Sequence, residues 1–252
     1  MLPVILRIGP LSIYSYGLMM ALGFLVAGFF LKRELKRAGL PVDMGDLIVI
    51  AAVLGGVIGA KLYSIMESLN DPNALSLRSI FSGSGLVWYG GFIGGTLAVL
   101  AVIRLKRASI LEVLDLLAPL LILGYAFGRM GCFLSGDGDY GPPTDLPWGM
   151  AFPNGTVPTL ERVHPTPLYE ILILSVMFAF LWKIRKRSTP KGWNFGLYLI
   201  LGGVERFITE FWRLTSVVAL GMTMAQIIGI ISIAVGAALM LYPRKSEAPE
   251  SQ

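Results

Sequence analysis

The amino-acid sequence predicts an all-α polytopic membrane protein with seven transmembrane helices. Hydrophobic residues make up 55% of the 252-residue chain and charged residues only 15%, against about 25% charged residues in a soluble domain. The apolar residues are grouped in segments of about 20, which is the length a helix needs to cross the hydrocarbon core. The positive charges are concentrated after alternate segments, as the loops of a multi-span protein require.

Seven apolar segments qualify as spans, and short polar connections separate them. They cover residues 13–31, 46–66, 84–103, 113–134, 166–182, 194–213 and 222–242. No connection is long enough to fold alone, so we expect one transmembrane domain over residues 1–242. The polar residues 243–252 are expected to form a disordered cytoplasmic tail.

The lysine and arginine residues predict the orientation of the chain. They follow the first, third, fifth and seventh segments: Lys32, Arg33, Lys36, Arg37, Arg104, Lys106, Arg107, Lys183, Arg185, Lys186, Arg187, Lys191, Arg244 and Lys245. By the positive-inside rule this side is cytoplasmic, so the N-terminus lies outside and the C-terminus inside. These loops also account for the net charge of +5, and no basic stripe is interleaved with aromatic residues. Nucleic acid is therefore excluded as a partner.

Four cations remain within the spans or at their outer ends: Lys61, Arg129, Arg206 and Arg213. An isolated cation in hydrocarbon costs at least about 2.5 kcal/mol, so each needs an anionic partner. Arg129 has no acid within four positions on its own helix. Either a ligand anion or an acid from another helix must satisfy it, and lipid phosphate is the anion that every bilayer supplies.

Glu210 lies between two of these arginines in sequence. It is four residues after Arg206 and three before Arg213, so all three share one helix face. The simplest interpretation is a ladder of ion pairs that holds helices together. The alternative is that these arginines belong to a binding site for an anion.

The longest outer loop, residues 135–165, is expected to be a lid or a binding loop beside the site. Tyr140, Trp148 and Phe152 are candidates for anchors in the interfacial zone of the bilayer. A metal site is not expected, because His164 is the only histidine and no cluster of ligands has metal-binding spacing. The glycine runs GGVIG and GGFIGG predict close helix packing.

Six ordered blocks of the sequence resemble a known family. The run GRMGCFLSGDGDYG at residues 128–141 resembles the signature of the prolipoprotein diacylglyceryl transferase family. Further blocks are similar to those of the family in the same order: YSYGLMMALGF (14–24), GGVIGAKLY (55–63), GLVWYGGFIGG (85–95), HPTPLYE (164–170) and RFITEFWR (206–213). The resemblance extends over nearly the whole chain.

The resemblance implies an enzyme of the bacterial cytoplasmic (inner) membrane that acts in lipoprotein biosynthesis. Family members transfer the sn-1,2-diacylglyceryl group of phosphatidylglycerol to the lipobox cysteine of a prolipoprotein signal peptide, without metal or cofactor. A thioether forms and glycerol phosphate leaves. The two essential arginines of the family correspond to Arg129 and Arg206. The other positions carried over as substrate-binding are Tyr16, Lys61, Glu170, Glu210 and Arg213.

The chain departs from the family pattern at four places. Tyr89 stands where many members have a histidine proposed as the base, Cys132 where asparagine is common, Lys61 where arginine is common, and Gly202 where tyrosine is frequent. The identity of the base is therefore open. Tyr89 is retained as a catalytic candidate that either moves a proton or orients groups, because a phenol with a pKa near 10 is a poor base.

Two other classes of function fit the same charges. A lipid or anion transporter would also contain broken spans and buried arginines, although inverted repeats are not apparent. A non-catalytic membrane protein that binds phosphatidylglycerol would have the same phosphate site.

Overall fold

Seven α-helices coincide with the seven apolar segments in the computed structural model, which describes residues 1–9, 11–68 and 87–242. They are α1 Ser15–Arg37, α2 Asp43–Glu67, α3 Trp88–Leu105, α4 Ile110–Ser135, α5 Thr166–Ile184, α6 Trp193–Thr209 and α7 Met224–Leu241. The predicted start of the third segment at residues 84–86 and the expected tail at 243–252 lie outside the described residues.

Five of these helices are long and apolar enough to cross a membrane: α1, α2, α4, α5 and α7. The apolar part of α3 is shorter, Tyr89–Leu105, and α6 has 17 residues. A helix of that length extends only about 25 Å at 1.5 Å per residue, against a hydrocarbon core of about 30 Å. The class of helical membrane protein is confirmed, while seven crossings and the orientation of the termini stay predictions.

Three short antiparallel hairpins accompany the helices in the described part of the chain, and the all-α prediction did not include them. They pair β1 Val4–Ile8 with β2 Leu11–Tyr14, β3 Met150–Phe152 with β4 Thr159–Val163, and β5 Val217–Ala219 with β6 Met222–Thr223. The strands have two to five residues. Such short strands give too little alternation of apolar and polar residues for a sequence pattern to show.

The chain forms two compact units, Gly28–Val113 and Met1–Ala27 with Leu114–Gln252. Within the first unit, α2 and α3 approach each other through the two glycine runs. A Cβ atom built at Gly55 would lie only 2.7 Å from the carbonyl oxygen of Gly94, and one at Gly94 only 2.8 Å from the Cα of Gly59. The prediction that these glycines serve helix packing is confirmed there.

The second unit contains the helices that later position the candidate site. Between α4 and α5 its core is apolar and buried: Ile122, Leu174, Met177, Leu181 and Ile184. Helices α6 and α7 meet at glycine, because a Cβ atom at Gly229 would lie 2.8 Å from the carbonyl oxygen of Gly203.

A carboxylate on α4 fixes the start of α6. Asp115 accepts hydrogen bonds from the backbone N–H of Gly192 and, at 2.8 Å, from that of Phe195. The first N–H groups of a helix have no partner within the helix, and a carboxylate there also interacts favourably with the helix dipole. Asp115 therefore joins α4 to α6, the two helices that contain Arg129 and Arg206.

The loop 135–165 has its own small core, which corrects the prediction for two of its aromatic residues. Tyr140 and Phe152 are buried and stacked with ring centroids 4.1 Å apart, beside Val163. The Tyr140 hydroxyl donates a hydrogen bond to the carbonyl of Val157 at 2.9 Å, and burial raises the pKa of this phenol. Only Trp148 remains exposed, as an interfacial anchor would be.

Candidate active site

Arg129 lies in the last two turns of α4, and its side chain is only 12% exposed. Its Nη1 pairs with Asp139 of the following loop, and its Nε lies 2.7 Å from Oε2 of Glu170 on α5. Its Nη2 donates a hydrogen bond to the Tyr125 hydroxyl at 3.1 Å, one turn earlier on the same helix. Of the two partners that the sequence left open for Arg129, the structure shows acids from outside its own helix.

Glu170 is the centre of the arrangement, and its side chain has no exposed surface. It lies in the first turn and a half of α5, after Pro167 at the helix start. Its Oε1 lies 3.2 Å from Nη1 of Arg213 and 3.5 Å from Nη1 of Arg206. One buried carboxylate thus contacts all three guanidinium groups, which would otherwise repel one another in a medium of low dielectric constant.

The ion-pair ladder, one of the two interpretations left open by the sequence, is present at the end of α6. Glu210 Oε2 lies 3.0 Å from Nη2 of Arg206 and 3.8 Å from Nε of Arg213. A short 3₁₀ helix, Glu210–Trp212, follows α6 directly and begins with this buried glutamate. The ladder is therefore one side of a larger cluster.

Asp139 closes the cluster from the loop. Its two carboxylate oxygens pair with different arginines, Oδ2 with Arg129 and Oδ1 with Arg213. Its carbonyl oxygen accepts a hydrogen bond from the Thr166 hydroxyl, which fixes the loop to the start of α5. Gly138, which precedes it, has a φ of 95°, a conformation that favours glycine. Two oxygens of one anion thus bridge two guanidinium groups.

We call these six residues the guanidinium–carboxylate cluster: Arg129, Asp139, Glu170, Arg206, Glu210 and Arg213. Its three positive and three negative charges balance. Such pairing offsets the cost of removing the charges from water.

Two neighbours of the cluster, Tyr125 and Glu205, are not among the site residues predicted from the sequence. Tyr125 could have been found, because it lies four residues before Arg129 on the same helix face. Glu205 is only 2% exposed, and neither carboxylate oxygen has a hydrogen-bond partner among the described residues.

Tyr16 and Cys132 lie close to Arg129. The Tyr16 ring packs on α4, where a Cβ atom at Gly131 would lie 3.1 Å from Cδ2 of the tyrosine. Cys132 is buried, and its Sγ lies 3.8 Å from Nη1 of Arg129.

The structure places the two remaining predicted site residues in the unit Gly28–Val113. Lys61 lies on α2, and the half-exposed Tyr89 lies in the first turn of α3. Their assignments to the site stay predictions.

One group of side chains could hold a cation by geometry. The ligand atoms of Cys132, Asp137 and Asp139 lie within 4.8 Å of one another, a proximity that sequence spacing did not reveal. Asp139 is already paired with two guanidinium groups, and a cation would have to compete with both. The contacts of Asp139 are therefore those of an ion-pair partner rather than those of a metal ligand.

Comparison with known proteins assigns the chain to a family. The family model described as prolipoprotein diacylglyceryl transferase matches residues 3–242. Proteins named phosphatidylglycerol--prolipoprotein diacylglyceryl transferase are similar along most of their length. The one from Clostridium tetani is 38% identical, with 84% of this chain and 86% of the relative covered. The relative from Nitrosomonas europaea is 35% identical, with 95% of this chain and 89% of the relative covered. The relative from Geobacter sulfurreducens is 37% identical, with 84% of this chain and 82% of the relative covered.

The fold and the site thus define a helical membrane protein with a buried cluster of arginines and acids, and the matched names define a transferase. The chain belongs to the prolipoprotein diacylglyceryl transferase family.

Proposed function

We propose that the chain transfers the sn-1,2-diacylglyceryl group of phosphatidylglycerol to the lipobox cysteine of prolipoproteins. The names of the relatives give the reaction class and both substrates. The observation in the structure that supports the proposal is the convergence of three mostly buried guanidinium groups on the fully buried Glu170. Guanidinium binds phosphate oxygens through two parallel hydrogen bonds, and does so most strongly where water is excluded.

The reaction balances without an additional reactant. The sulfur of the lipobox cysteine forms a bond to the carbon of the diacylglyceryl group that carries the phosphate. The bond from that carbon to the phosphate oxygen breaks. The thiol proton leaves with the phosphate group or passes to solvent, so the products are a thioether and glycerol phosphate. Negative charge grows on the departing phosphate, and positively charged groups close to it lower the barrier.

Arg129 and Arg206 have different roles in this proposal. Arg129 binds the lipid phosphate before the reaction, and Arg206 stabilises the phosphate as it leaves. Tyr16, Lys61, Glu170, Glu210 and Arg213 contribute to substrate binding, chiefly by holding the arginines or the headgroup.

Lipid phosphate must displace a carboxylate, because the three guanidinium groups are already paired. Asp139 is the member best suited to give way. It is the most exposed of the three acids, at 26%, and belongs to a loop rather than to a helix or its 3₁₀ extension. Its two oxygens also bridge Arg129 and Arg213 as two phosphate oxygens would.

The base remains the least defined part of the proposal. A thiol with an ordinary pKa near 8.5 is already a few per cent ionised at pH 7, and adjacent guanidinium groups increase that fraction. Tyr89 then acts by receiving the proton or by orienting the substrates.

In this proposal the protein lies in the cytoplasmic membrane of a bacterium, crosses it seven times and has the cluster towards the extracytoplasmic face. The distribution of lysine and arginine supports this orientation. Accessibility of single cysteines introduced at Glu161 and Arg187 tests it in intact cells. We expect a membrane-impermeant reagent to label only the first; labelling of only the second would reverse the orientation.

Glycerol phosphate release separates an enzyme from the two alternative functions. Purified protein is mixed with phosphatidylglycerol and a lipobox peptide, and glycerol phosphate is measured with and without the peptide. We expect release only when the peptide is present. A transporter or a lipid-binding protein would leave the lipid intact, and that result would reject the proposed function.

A further inference from the structure

The hairpin of β5 and β6 turns through a leucine in an unfavourable conformation. Ala219 pairs with Met222, so the turn consists of Leu220 and Gly221. Both have positive φ, 52° and 73°, which is the geometry of a type I′ turn. Asparagine followed by glycine is the preferred pair there, and a bulky residue such as leucine is a rare occupant.

Packing within the chain does not compensate for this conformation. Leu220 is 92% exposed, the highest fraction among the large apolar residues described as exposed. A residue in such a conformation persists only where its surroundings hold it there, and for Leu220 those surroundings lie outside the chain. A large apolar side chain at the tip of a turn needs an apolar medium to favour it.

The surroundings of the tip are also apolar and uncharged. Leu214, Val217 and Val218 are exposed on the same hairpin segment. No ionisable side chain with a charge at neutral pH occurs from residue 214 to residue 242. A hairpin in contact with bulk water would normally carry charged or polar side chains at such positions.

The connection to α7 identifies the medium as lipid. The span α7 begins at Met224, directly after β6, and its start is fixed by a capping box between Thr223 and Gln226. Because α7 is long and apolar enough to cross a membrane, the hairpin is held at the boundary of the bilayer. On its other side the hairpin follows Arg213, a member of the guanidinium–carboxylate cluster, by four residues.

We propose that the β5–β6 hairpin is a membrane-insertion element that places Leu220 in the acyl region of the leaflet on the side of the cluster. The binding partner is the lipid surface. An apolar peptide segment is the competing occupant. The proposal does not depend on the transferase reaction, because it concerns contact with lipid in the absence of peptide.

Depth-dependent quenching tests the proposal. In a Cys132→Ser background, Leu220→Cys is labelled with an environment-sensitive fluorophore, and the full chain is placed in phosphatidylcholine–phosphatidylglycerol vesicles. We expect a nitroxide lipid labelled near the headgroup end of the acyl chain to quench the emission. We expect aqueous iodide to quench it at least threefold less than at the control site Leu160→Cys. Leu160 is also exposed on a hairpin, but Glu161 and Arg162 follow it.

Efficient quenching by iodide without quenching by the nitroxide lipid would overturn the proposal. So would lipid-independent emission that shifts only when an apolar peptide is added, because the occupant would then be the peptide.

A second variant isolates the role of the leucine. Leu220→Asn introduces the residue that a type I′ turn prefers, so the hairpin should still form. With the fluorophore at Val218→Cys, we expect Leu220→Asn to increase iodide quenching at least twofold. No change would show that Leu220 does not hold the hairpin in the lipid.

Discussion

At the scale of single residues, the proposed chemistry depends on guanidinium groups that are mostly buried and paired with carboxylates. Arg129 and Arg206 both contact Glu170, so each is held in place by a carboxylate that is fully buried. A buried ion pair of this kind contributes little net stability, but loss of one partner leaves an unpaired charge. The pairs therefore serve to position the arginines.

Arg129→Lys tests whether the reaction requires the planar guanidinium group, which can donate two parallel hydrogen bonds. Lysine keeps the charge but cannot make two parallel hydrogen bonds to phosphate. We expect kcat/KM for phosphatidylglycerol to fall by at least about 100-fold, the scale of one lost stabilising donor. Arg187→Lys, on the exposed segment after α5, serves as the matched control. Near wild-type turnover by Arg129→Lys would refute the bidentate role.

Asp139→Asn tests whether this carboxylate competes with the substrate. Asparagine keeps the size of the side chain but removes the charge that pairs with Arg129 and Arg213. We expect KM for phosphatidylglycerol to fall about fivefold, which corresponds to roughly 1 kcal/mol. Initial rates at several mole fractions of the lipid measure this. A higher KM would show that Asp139 assists binding instead.

Tyr89→Phe tests whether the hydroxyl group of Tyr89 takes part in the reaction. We expect turnover to fall about tenfold or more over pH 6–9, because a group that moves a proton or orients a substrate is removed. Tyr242→Phe, at the exposed end of α7, should leave the rate unchanged. Equal rates for Tyr89→Phe and wild type across this range would remove the phenol from the mechanism.

Ion-pair partners could be predicted where they lie close together in sequence at the end of one helix. They could not be predicted where the loop 135–165 folds back onto Arg129. The spacing of Arg206, Glu210 and Arg213 was sufficient to place them together. Asp139 is ten residues beyond Arg129, and its pairing depends on how the loop 135–165 folds back. The separation of these residues along the sequence does not specify how the loop folds back.

At the scale of elements, the glycines of α2 and α3 set how closely these helices pack. Gly94→Ala would place a methyl group 2.8 Å from the Cα of Gly59, and backbone cannot move aside as a side chain can. Overpacking of this kind costs about 1–3 kcal/mol. We expect a lower Tm in detergent, measured by thermal unfolding.

The matched control is Gly124→Ala on α4, where a Cβ atom would meet nothing within 4 Å. Alanine is favoured over glycine in a helix, so its Tm should stay unchanged or rise slightly. An equal decrease in Tm for Gly94→Ala and Gly124→Ala would show that the α2–α3 contact does not require glycine at residue 94.

The helices were predictable and the hairpins were not, for a physical reason. A run of about 20 apolar residues is a strong signal, because lipid leaves the backbone few alternatives to a helix. The hairpins depend on two-residue turns and on tertiary packing, as for Phe152 beneath Tyr140. The interfacial role predicted for those two aromatic residues was wrong, because amphipathic rings fill a loop core as readily as a membrane boundary.

At the scale of the whole molecule, the unit Met1–Ala27 with Leu114–Gln252 contains the complete cluster. Its charges come from α4, the following loop, α5 and the end of α6, and Asp115 joins two of these helices. The unit Gly28–Val113 contains Lys61 and Tyr89. Sequence blocks from both units resemble the family.

The affinity for phosphatidylglycerol tests the central claim most directly. A dissociation constant is measured by titrating a short-chain phosphatidylglycerol into wild type, Arg129→Lys and Arg206→Lys, with Arg187→Lys as control. If the cluster exchanges a carboxylate for lipid phosphate, Arg129→Lys should weaken binding at least tenfold. Arg206→Lys should bind nearly as wild type but turn over slowly, because Arg206 acts on the departing phosphate. Unchanged affinity in Arg129→Lys would contradict the account.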